Sequence, residues 1–166
     1  MPFFISGLAR EIDTVAHEAA IKTELRTVAV LAGEIQHTYP PENQNLADKI
    51  CQQVALISEY PLATNPVSHN FPVRNRVISC NSHGVLVTEA NVKSGALITS
   101  TFGQEKNREV FAIPCRIDPH PSSGYNQLIS RNQAKLINSA TDILEDLLPS
   151  ISSKAGIQLS FQNYPN

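Results

Sequence analysis

Short apolar runs alternate with segments of helical periodicity along most of the chain. The first apolar run, residues 3–5, stops at Ser6-Gly7, and a β-branched run at residues 27–31 ends before Gly33. Between these runs, apolar residues recur at helical spacing over about residues 10–23, which predicts a helix. The pattern therefore begins as strand, helix, strand.

The same alternation continues to about residue 148. It predicts further strands at 55–58, 84–88, 110–113 and 134–137, and further helices at 41–54, from Pro72, from Ser94, at 124–130 and from Ser139 to about Leu148. The periodicity is lost beyond Pro149. We therefore expect one domain over residues 1–148 and a C-terminal tail or linker over residues 149–166.

Strands alternating with helices predict an α/β fold with a doubly wound, mostly parallel, Rossmann-like sheet covered on both faces. In such folds ligands bind at the carboxyl ends of the strands, where helix N-termini present N–H groups. Ser6-Gly7 ends the first predicted strand, and Ser94-Gly95 follows the fourth. Small residues suited to ligand binding thus fall at the expected edge, although a fold does not name its ligand.

Composition narrows the class of protein. The 166 residues are 42 % hydrophobic and 17 % charged, which is typical of a globular domain. No apolar run approaches the roughly 20 residues that span a bilayer, and no export leader is visible, so we expect a cytoplasmic protein without a membrane segment. Three widely spaced cysteines indicate buried thiols, and five histidines show no metal-ligand spacing. We expect neither a metal nor a cofactor.

Phe71, Arg74 and Arg76 place one aromatic ring and two guanidinium groups within six residues. No Asp or Glu occurs between Glu59 and Glu89, although acidic residues outnumber basic ones by 15 to 13. An aromatic ring can stack on a base, and an arginine fork can bind phosphate oxygens. The alternative is a surface helix with solvated arginines and valines facing the core. The acid-free surroundings favour binding of a nucleotide-like anion.

Two strand-to-helix turns are less specific. At Ser6-Gly7, the glycine can admit a phosphate to backbone N–H groups and Arg10 adds charge, but a plain turn explains the glycine equally well. Ser94 and Gly95, beside Lys93, could offer a hydroxyl and an N–H group to a phosphate, whereas a lone Ser there favours an ordinary helix cap. Glu89 has no partner for acid–base chemistry, and no catalytic constellation is evident.

Eight short motifs occur in order along the chain. They are Ser-Gly-Leu-Ala-Arg-x-Ile-Asp (6–13), Tyr-Pro-Pro-Glu-Asn (39–43), Ser-Glu-Tyr-Pro (58–61), Phe-Pro-x-Arg-Asn-Arg-x-Ile (71–78), Gly-Val-Leu-Val-x-Glu-Ala (84–90), Ser-Gly-x-Leu-Ile-Thr (94–99), Arg-Glu-Val-Phe-Ala-x-Pro (108–114) and Gly-x-Asn-Gln-Leu-Ile (124–129). Together they resemble the DNA-processing family DprA/Smf, over about residues 5–148.

The resemblance implies an extended Rossmann fold, a homodimer and a basic pocket that binds single-stranded DNA. It also implies protection of incoming DNA in natural transformation and loading of the RecA recombinase, without enzyme activity. Phe71 becomes the candidate base-stacking residue. The implied DNA-facing positions are Ser6, Gly7, Arg10, Phe71, Arg74, Asn75, Arg76, Lys93, Ser94 and Gly95.

The chain departs from the family pattern in several places. Family members begin one βα unit earlier, with a Gly-Ser/Thr-Arg turn, so we expect a sheet that lacks this first unit. Glu11 and Cys115 each stand where the family has Gly. Asn107 replaces a helix-ending Gly, a mild change because Asn tolerates the left-handed conformation.

Two other functions stay open. A nucleotide-hydrolysing enzyme on a related Rossmann fold, of the LOG phosphoribohydrolase type, would carry Pro-Gly-Gly-x-Gly-Thr followed by Glu. The chain instead reads Thr-Glu-Ala-Asn-Val-Lys-Ser-Gly over residues 88–95, without the glycine cluster. A structural remnant that dimerises and contacts RecA is the third possibility.

Overall fold

The computed structural model describes residues 3–88, 95–115 and 124–155. Within these ranges no helix is long and apolar enough to cross a membrane. The elements are β1 (Phe3–Ser6), α1 (Ile12–Lys22), β2 (Arg26–Leu31), a 3-10 turn (Pro41–Asn43), α2 (Gln44–Gln53), β3 (Ala55–Ser58), α3 (Asn70–Cys80), β4 (Gly84–Val87), α4 (Gly95–Glu105), β5 (Glu109–Ala112), α5 (Gly124–Ser130), β6 (Lys135–Leu136) and α6 (Ala140–Ala155).

All described strand pairs are parallel and form two three-stranded sheets, in the orders β1-β2-β3 and β4-β5-β6. Ser6 pairs with Ala29 in the first sheet, and Val87 pairs with Ala112 in the second. This confirms the predicted α/β architecture of parallel strands joined by helices.

The helices pack on the strands and on one another. Helices α1 and α2 contact each other and β2, while α3 contacts β2 and packs most extensively on α4. Helix α4 in turn contacts β4 and β5, so the contact between α3 and α4 links the two sheets.

Each sheet has its own apolar core because its strands and flanking helices contribute aliphatic side chains to it. The buried residues of the first core are Leu8, Ala29, Leu31, Leu46, Ala47 and Ile50. Those of the second core are Val85, Val87, Val110, Ala112, Leu128 and Ala134. These cores hold the carboxyl ends of the strands in place.

His17 lies fully buried at the back of the first sheet. Its Nδ1 lies 2.7 Å from the Thr27 hydroxyl, which donates to the Phe4 carbonyl oxygen. Burial lowers the pKa of His17 to about 4, so the ring is neutral at physiological pH. Its Nε2 has no hydrogen-bond partner among the described residues. The burial of His17 and its bond to Thr27 indicate a structural role.

Some element boundaries differ from the sequence prediction. Helix α3 begins at Asn70, before the predicted start at Pro72. Helix α6 starts as expected, with Ser139 and Asp142 exchanging hydrogen bonds, but it extends past Pro149 to Ala155. A proline removes one backbone donor, and here the helix continues despite that loss. The predicted tail therefore begins inside α6.

The cysteine prediction was wrong. Cys51 is exposed, and Cys80 and Cys115 are half-buried, so none is a core thiol. Asn107, by contrast, has φ 52°, which confirms the left-handed conformation expected at this helix end.

Candidate nucleic-acid interface

Side chains from three successive turns meet at the carboxyl ends of β1, β2 and β3. Arg10 follows β1, Tyr39 follows β2, and Phe71 lies in the first turn of α3 after β3. The Arg10 guanidinium carbon lies 5.6 Å from the Tyr39 ring centroid, and the Tyr39 and Phe71 centroids are also 5.6 Å apart. The Arg74 guanidinium carbon lies 5.9 Å from the Phe71 centroid. We call Arg10, Tyr39, Phe71 and Arg74 the ring cluster.

The loop that carries Tyr39 is held firmly. Asn43 is buried, and its amide nitrogen donates to the Leu8 carbonyl oxygen at 3.0 Å and to the Thr14 hydroxyl at 2.8 Å. These bonds tie the loop after β2 to the turn after β1. The Thr38 N–H donates to the Gln44 side-chain oxygen, which fixes the other side of the loop. The aromatic ring is therefore presented by an ordered backbone.

Arg74 is 5 % exposed, which contradicts the expectation of a DNA-facing guanidinium. Its Nη1 donates to the Gly7 carbonyl oxygen at 2.7 Å and to the Val30 carbonyl oxygen, and its Nε donates to Asn75 Oδ1 at 3.0 Å. Burial lowers the pKa of Arg74 to about 10, so the group stays charged at neutral pH. Arg74 braces the ends of β1 and β2 and places a positive charge beneath Phe71.

Asn75 is also turned inward, and its side chain has two partners. Its oxygen accepts the Arg74 bond, and its nitrogen donates to the Gly95 carbonyl oxygen at 3.2 Å. Asn75 thereby connects α3 to the first residue of α4. Its amide is used within the protein, so its predicted place on the DNA-facing surface does not agree with its position in the structure.

Arg76 is exposed but paired. Its Nη2 lies 2.8 Å from both carboxylate oxygens of Glu59, the residue that follows β3. The expectation that no carboxylate is near this arginine was wrong, because a residue 17 positions away in the sequence folds against it. Exposed ion pairs of this kind contribute about 0–1 kcal/mol, so another anion can compete with Glu59.

Arg10 is paired in the same way. Its Nε donates to Glu42 Oε1 at 2.6 Å, and the two side chains are 58 % and 53 % exposed. Interactions with Tyr39 and then Glu42 raise the pKa of Arg10. The backbone N–H of Glu42 and then the Arg10 side chain lower the pKa of the Glu42 carboxyl. Both groups are charged at neutral pH and open to solvent.

The turn after β1 holds an internal carboxylate. The backbone N–H groups of Gly7 and Ala9 both donate to Asp13 Oδ2, each at 3.1 Å. The amide that was expected to receive a phosphate is therefore already occupied, which corrects the sequence prediction for Gly7. Ser6, the last residue of β1, is half-buried beside it.

The structure brings together some of the predicted site residues and separates others. Gly7, Phe71 and Arg74 are in direct contact or adjacent, and Arg10 joins them through Tyr39. Lys93, Ser94 and Glu89 lie outside the described residues. Among the described residues no group of His, Cys, Asp or Glu is arranged to hold a metal ion.

Sequence reasoning missed Tyr39 and the carboxylates that pair with the cations. Tyr39 and Glu42 stand in the Tyr-Pro-Pro-Glu-Asn motif, which carried the family resemblance but was given no role. The signal was available in the motif, because it lies in the loop after a predicted parallel strand, and ligands of such folds bind at the carboxyl ends of the strands.

Comparison with known families agrees with the motifs. The family described as DNA recombination-mediator protein A matches residues 2–148. DNA processing protein DprA of Bacillus subtilis is 47 % identical over 144 residues, which cover 86 % of this chain and 48 % of that protein. Protein Smf of Escherichia coli is 44 % identical over 143 residues, covering 86 % of this chain and 38 % of that protein. The chain spans half or less of the length of these relatives.

Two solved structures have the same fold. DNA processing protein A of Streptococcus pneumoniae superposes with a TM-score of 0.80 at 40 % identity, covering 86 % of this chain and 50 % of that one. DNA processing protein A of Helicobacter pylori, described for its single-stranded DNA binding mode, superposes with a TM-score of 0.80 at 27 % identity. That match covers 89 % of this chain and 66 % of the Helicobacter pylori chain.

Proposed function

The chain belongs to the DNA recombination-mediator protein A family, known as DprA/Smf, and from this membership we propose that it binds single-stranded DNA at the ring cluster. The Helicobacter pylori relative, described for its single-stranded DNA binding mode, supports this ligand.

The observation that carries the proposal is the convergence of Arg10, Tyr39 and Phe71 from the turns after three adjacent parallel strands. A nucleotide combines a flat base with a phosphate, and the cluster combines aromatic rings with a guanidinium. Phe71 is half-buried, and a base stacked on its accessible part would contribute ~1–3 kcal/mol. Double-stranded DNA hides its base faces, so stacking favours an unpaired strand.

Phosphate binding would proceed by exchange of anions. Arg10 and Arg76 are paired with exposed carboxylates, Glu42 and Glu59, in the free protein. Such exposed pairs are weak because water and salt screen them, whereas a polynucleotide phosphate that replaces the carboxylate also releases counterions from the strand. The buried charge of Arg74 adds an attractive field from below without touching the DNA.

We propose binding without catalysis. Rings, guanidinium groups and backbone carbonyls dominate the described site, and these groups hold a strand rather than break its bonds. By the same family relationship we propose that the protein protects incoming DNA in transformation, loads RecA onto it, and does so as a cytoplasmic homodimer.

The direct test compares Phe71→Ala with the unaltered protein on labelled oligo-dT and on a duplex of equal length. Loss of stacking should weaken oligo-dT binding about fivefold to 100-fold and duplex binding much less. Phe3→Ala is the matched control, because Phe3 is an exposed phenylalanine at the opposite end of β1. Equal losses on both DNAs, or no loss on oligo-dT, would reject Phe71 as a stacking residue.

A further inference from the structure

We propose that Tyr39 is a second base-stacking position beside Phe71, so that the ring cluster binds two consecutive unpaired nucleotides. This inference rests on the proposed function and names the footprint of the strand at the same site. It gives the loop after β2, which carries Tyr39 and the Tyr-Pro-Pro-Glu-Asn motif, a role in binding DNA.

Tyr39 is an exposed aromatic residue between two buried neighbours. It is 43 % exposed, whereas Thr38 and Pro40 on either side are buried. The loop is anchored through Asn43 to the turn after β1 and through Thr38 to Gln44. A fixed backbone that holds an aromatic ring in solvent loses little conformational entropy when a flat ligand stacks on that ring.

If both rings stack on bases, their geometry calls for two bases. The planes of Tyr39 and Phe71 are inclined by 58°, so a single flat base cannot lie parallel to both rings. Their centroids are 5.6 Å apart, which exceeds the ~3.4 Å rise of a stacked strand. Two neighbouring bases could each lie on one ring if the strand is locally unstacked, as unpaired strands allow.

Arg10 supplies the phosphate contact for this footprint. Its guanidinium lies 5.6 Å from the Tyr39 centroid and is exposed, with Glu42 as its partner in the free protein. A base on Tyr39 would bring its own phosphate within reach of this guanidinium. The carboxylate of Glu42 then marks the position where a phosphate oxygen would bind, since both are oxygen anions that accept from an arginine fork.

The test uses the absence of tryptophan from the sequence. Tyr39→Trp introduces a single indole at the proposed position, and Leu144→Trp introduces one on α6 at a side chain that is 52 % exposed. Labelled oligo-dT is titrated against each variant, and indole emission is recorded together with the anisotropy of the label. A base stacked on the ring should quench the indole of Tyr39→Trp as binding saturates and leave that of Leu144→Trp unchanged.

Affinities provide the second readout. Tyr39→Ala should weaken oligo-dT binding about fivefold to 100-fold, and Tyr39→Phe should stay within about twofold, because the ring rather than the hydroxyl makes the contact. Thermal unfolding of each variant checks that the fold is intact.

The outcomes separate the two proposals. Unaltered affinity in Tyr39→Ala, or binding by Tyr39→Trp without a change in emission, would overturn the second stacking position while leaving Phe71 in place. If the unaltered protein does not bind oligo-dT, the proposed function and this inference both fail.

Discussion

The guanidinium of Arg74 occupies the space that a side chain at Gly7 would need. A Cβ added at Gly7 would lie 2.6 Å from Arg74 Nη1, and the same nitrogen donates to the Gly7 carbonyl oxygen at 2.7 Å. The glycine is thus required for close approach of a buried cation rather than for approach of a phosphate. The two residues join the end of β1 to α3, the helix that carries Phe71.

Gly7→Ala should therefore destabilise the fold and weaken DNA binding together. The added methyl group displaces a guanidinium whose buried acceptors then lose their donor, at a cost of about 1–3 kcal/mol in the free energy of unfolding. Gly95→Ala is the matched control, because a Cβ there meets Asn75 Nδ2 at an ordinary 3.6 Å. Urea unfolding of both variants measures the difference, and equal stabilities would contradict the close packing described.

Glu11→Gly should stabilise the protein. Glu11 has φ 64° and ψ −115°, a conformation that glycine adopts readily and other residues adopt with strain. Relief of this strain should raise the free energy of unfolding by about 1 kcal/mol. Glu18→Gly removes the same side chain from the middle of α1 and should lower it by about 0.5–1 kcal/mol. Thermal or urea unfolding checks the opposite signs, and a loss of stability in Glu11→Gly would contradict the argument.

Glu42→Gln should bind single-stranded DNA more tightly than the unaltered protein. The substitution removes the carboxylate that competes with phosphate for Arg10, which should raise the affinity up to about fivefold. Glu59→Gln should act similarly through Arg76. Glu18→Gln, on the exposed surface of α1, changes the net charge equally and serves as the control. Equal gains in all three variants would show a general charge effect without exchange at the arginines.

Stability should fall with acid because of His17. Its folded pKa of about 4 lies below the ordinary 6.5, so the unfolded state takes up the proton first as the pH falls. The stabilisation is complete above about pH 6.5 and is lost between about pH 6.5 and 4, amounting to roughly 3 kcal/mol. His17→Gln should flatten this part of the stability profile. A profile unchanged by His17→Gln would exclude this residue as the titrating group.

The sequence predicted the order of strands and helices because their signals are local. Signals such as the apolar run at residues 27–31 and the helix start at Ser139 depend on neighbours within a few positions, and the structure confirms them. Asn107 could be assigned a left-handed conformation for the same reason. Local periodicity and turn chemistry are therefore reliable guides here.

The inward face of α3 could not be predicted in this way. Its buried residues are Asn70, Arg74, Asn75 and Ser79, while Val73 is exposed. Polarity is therefore inverted relative to an ordinary amphipathic helix, and the buried polar groups are satisfied by backbone carbonyls of distant elements. A hydrophobic pattern cannot reveal carbonyl acceptors supplied by other elements.

The ion pairs of Arg10 and Arg76 could not be predicted from the sequence for a related reason. The absence of acidic residues near Arg76 along the sequence did not exclude Glu59 in space, and Glu42 reaches Arg10 across 32 positions. Charge clusters are tertiary features that depend on how loops converge. Arg10 and Phe71 lie close to the carboxyl ends of the strands, where the sequence placed them, whereas the partners of the individual arginines required the structure.

The dependence of oligo-dT affinity on salt tests the central claim most directly. Arg10→Ala should flatten the slope of log K against log salt concentration by ~0.7, because one phosphate contact is lost, while Arg131→Ala, which removes an exposed arginine after α5, should leave the slope unchanged. An unchanged slope in Arg10→Ala would contradict the binding of a DNA phosphate at the ring cluster.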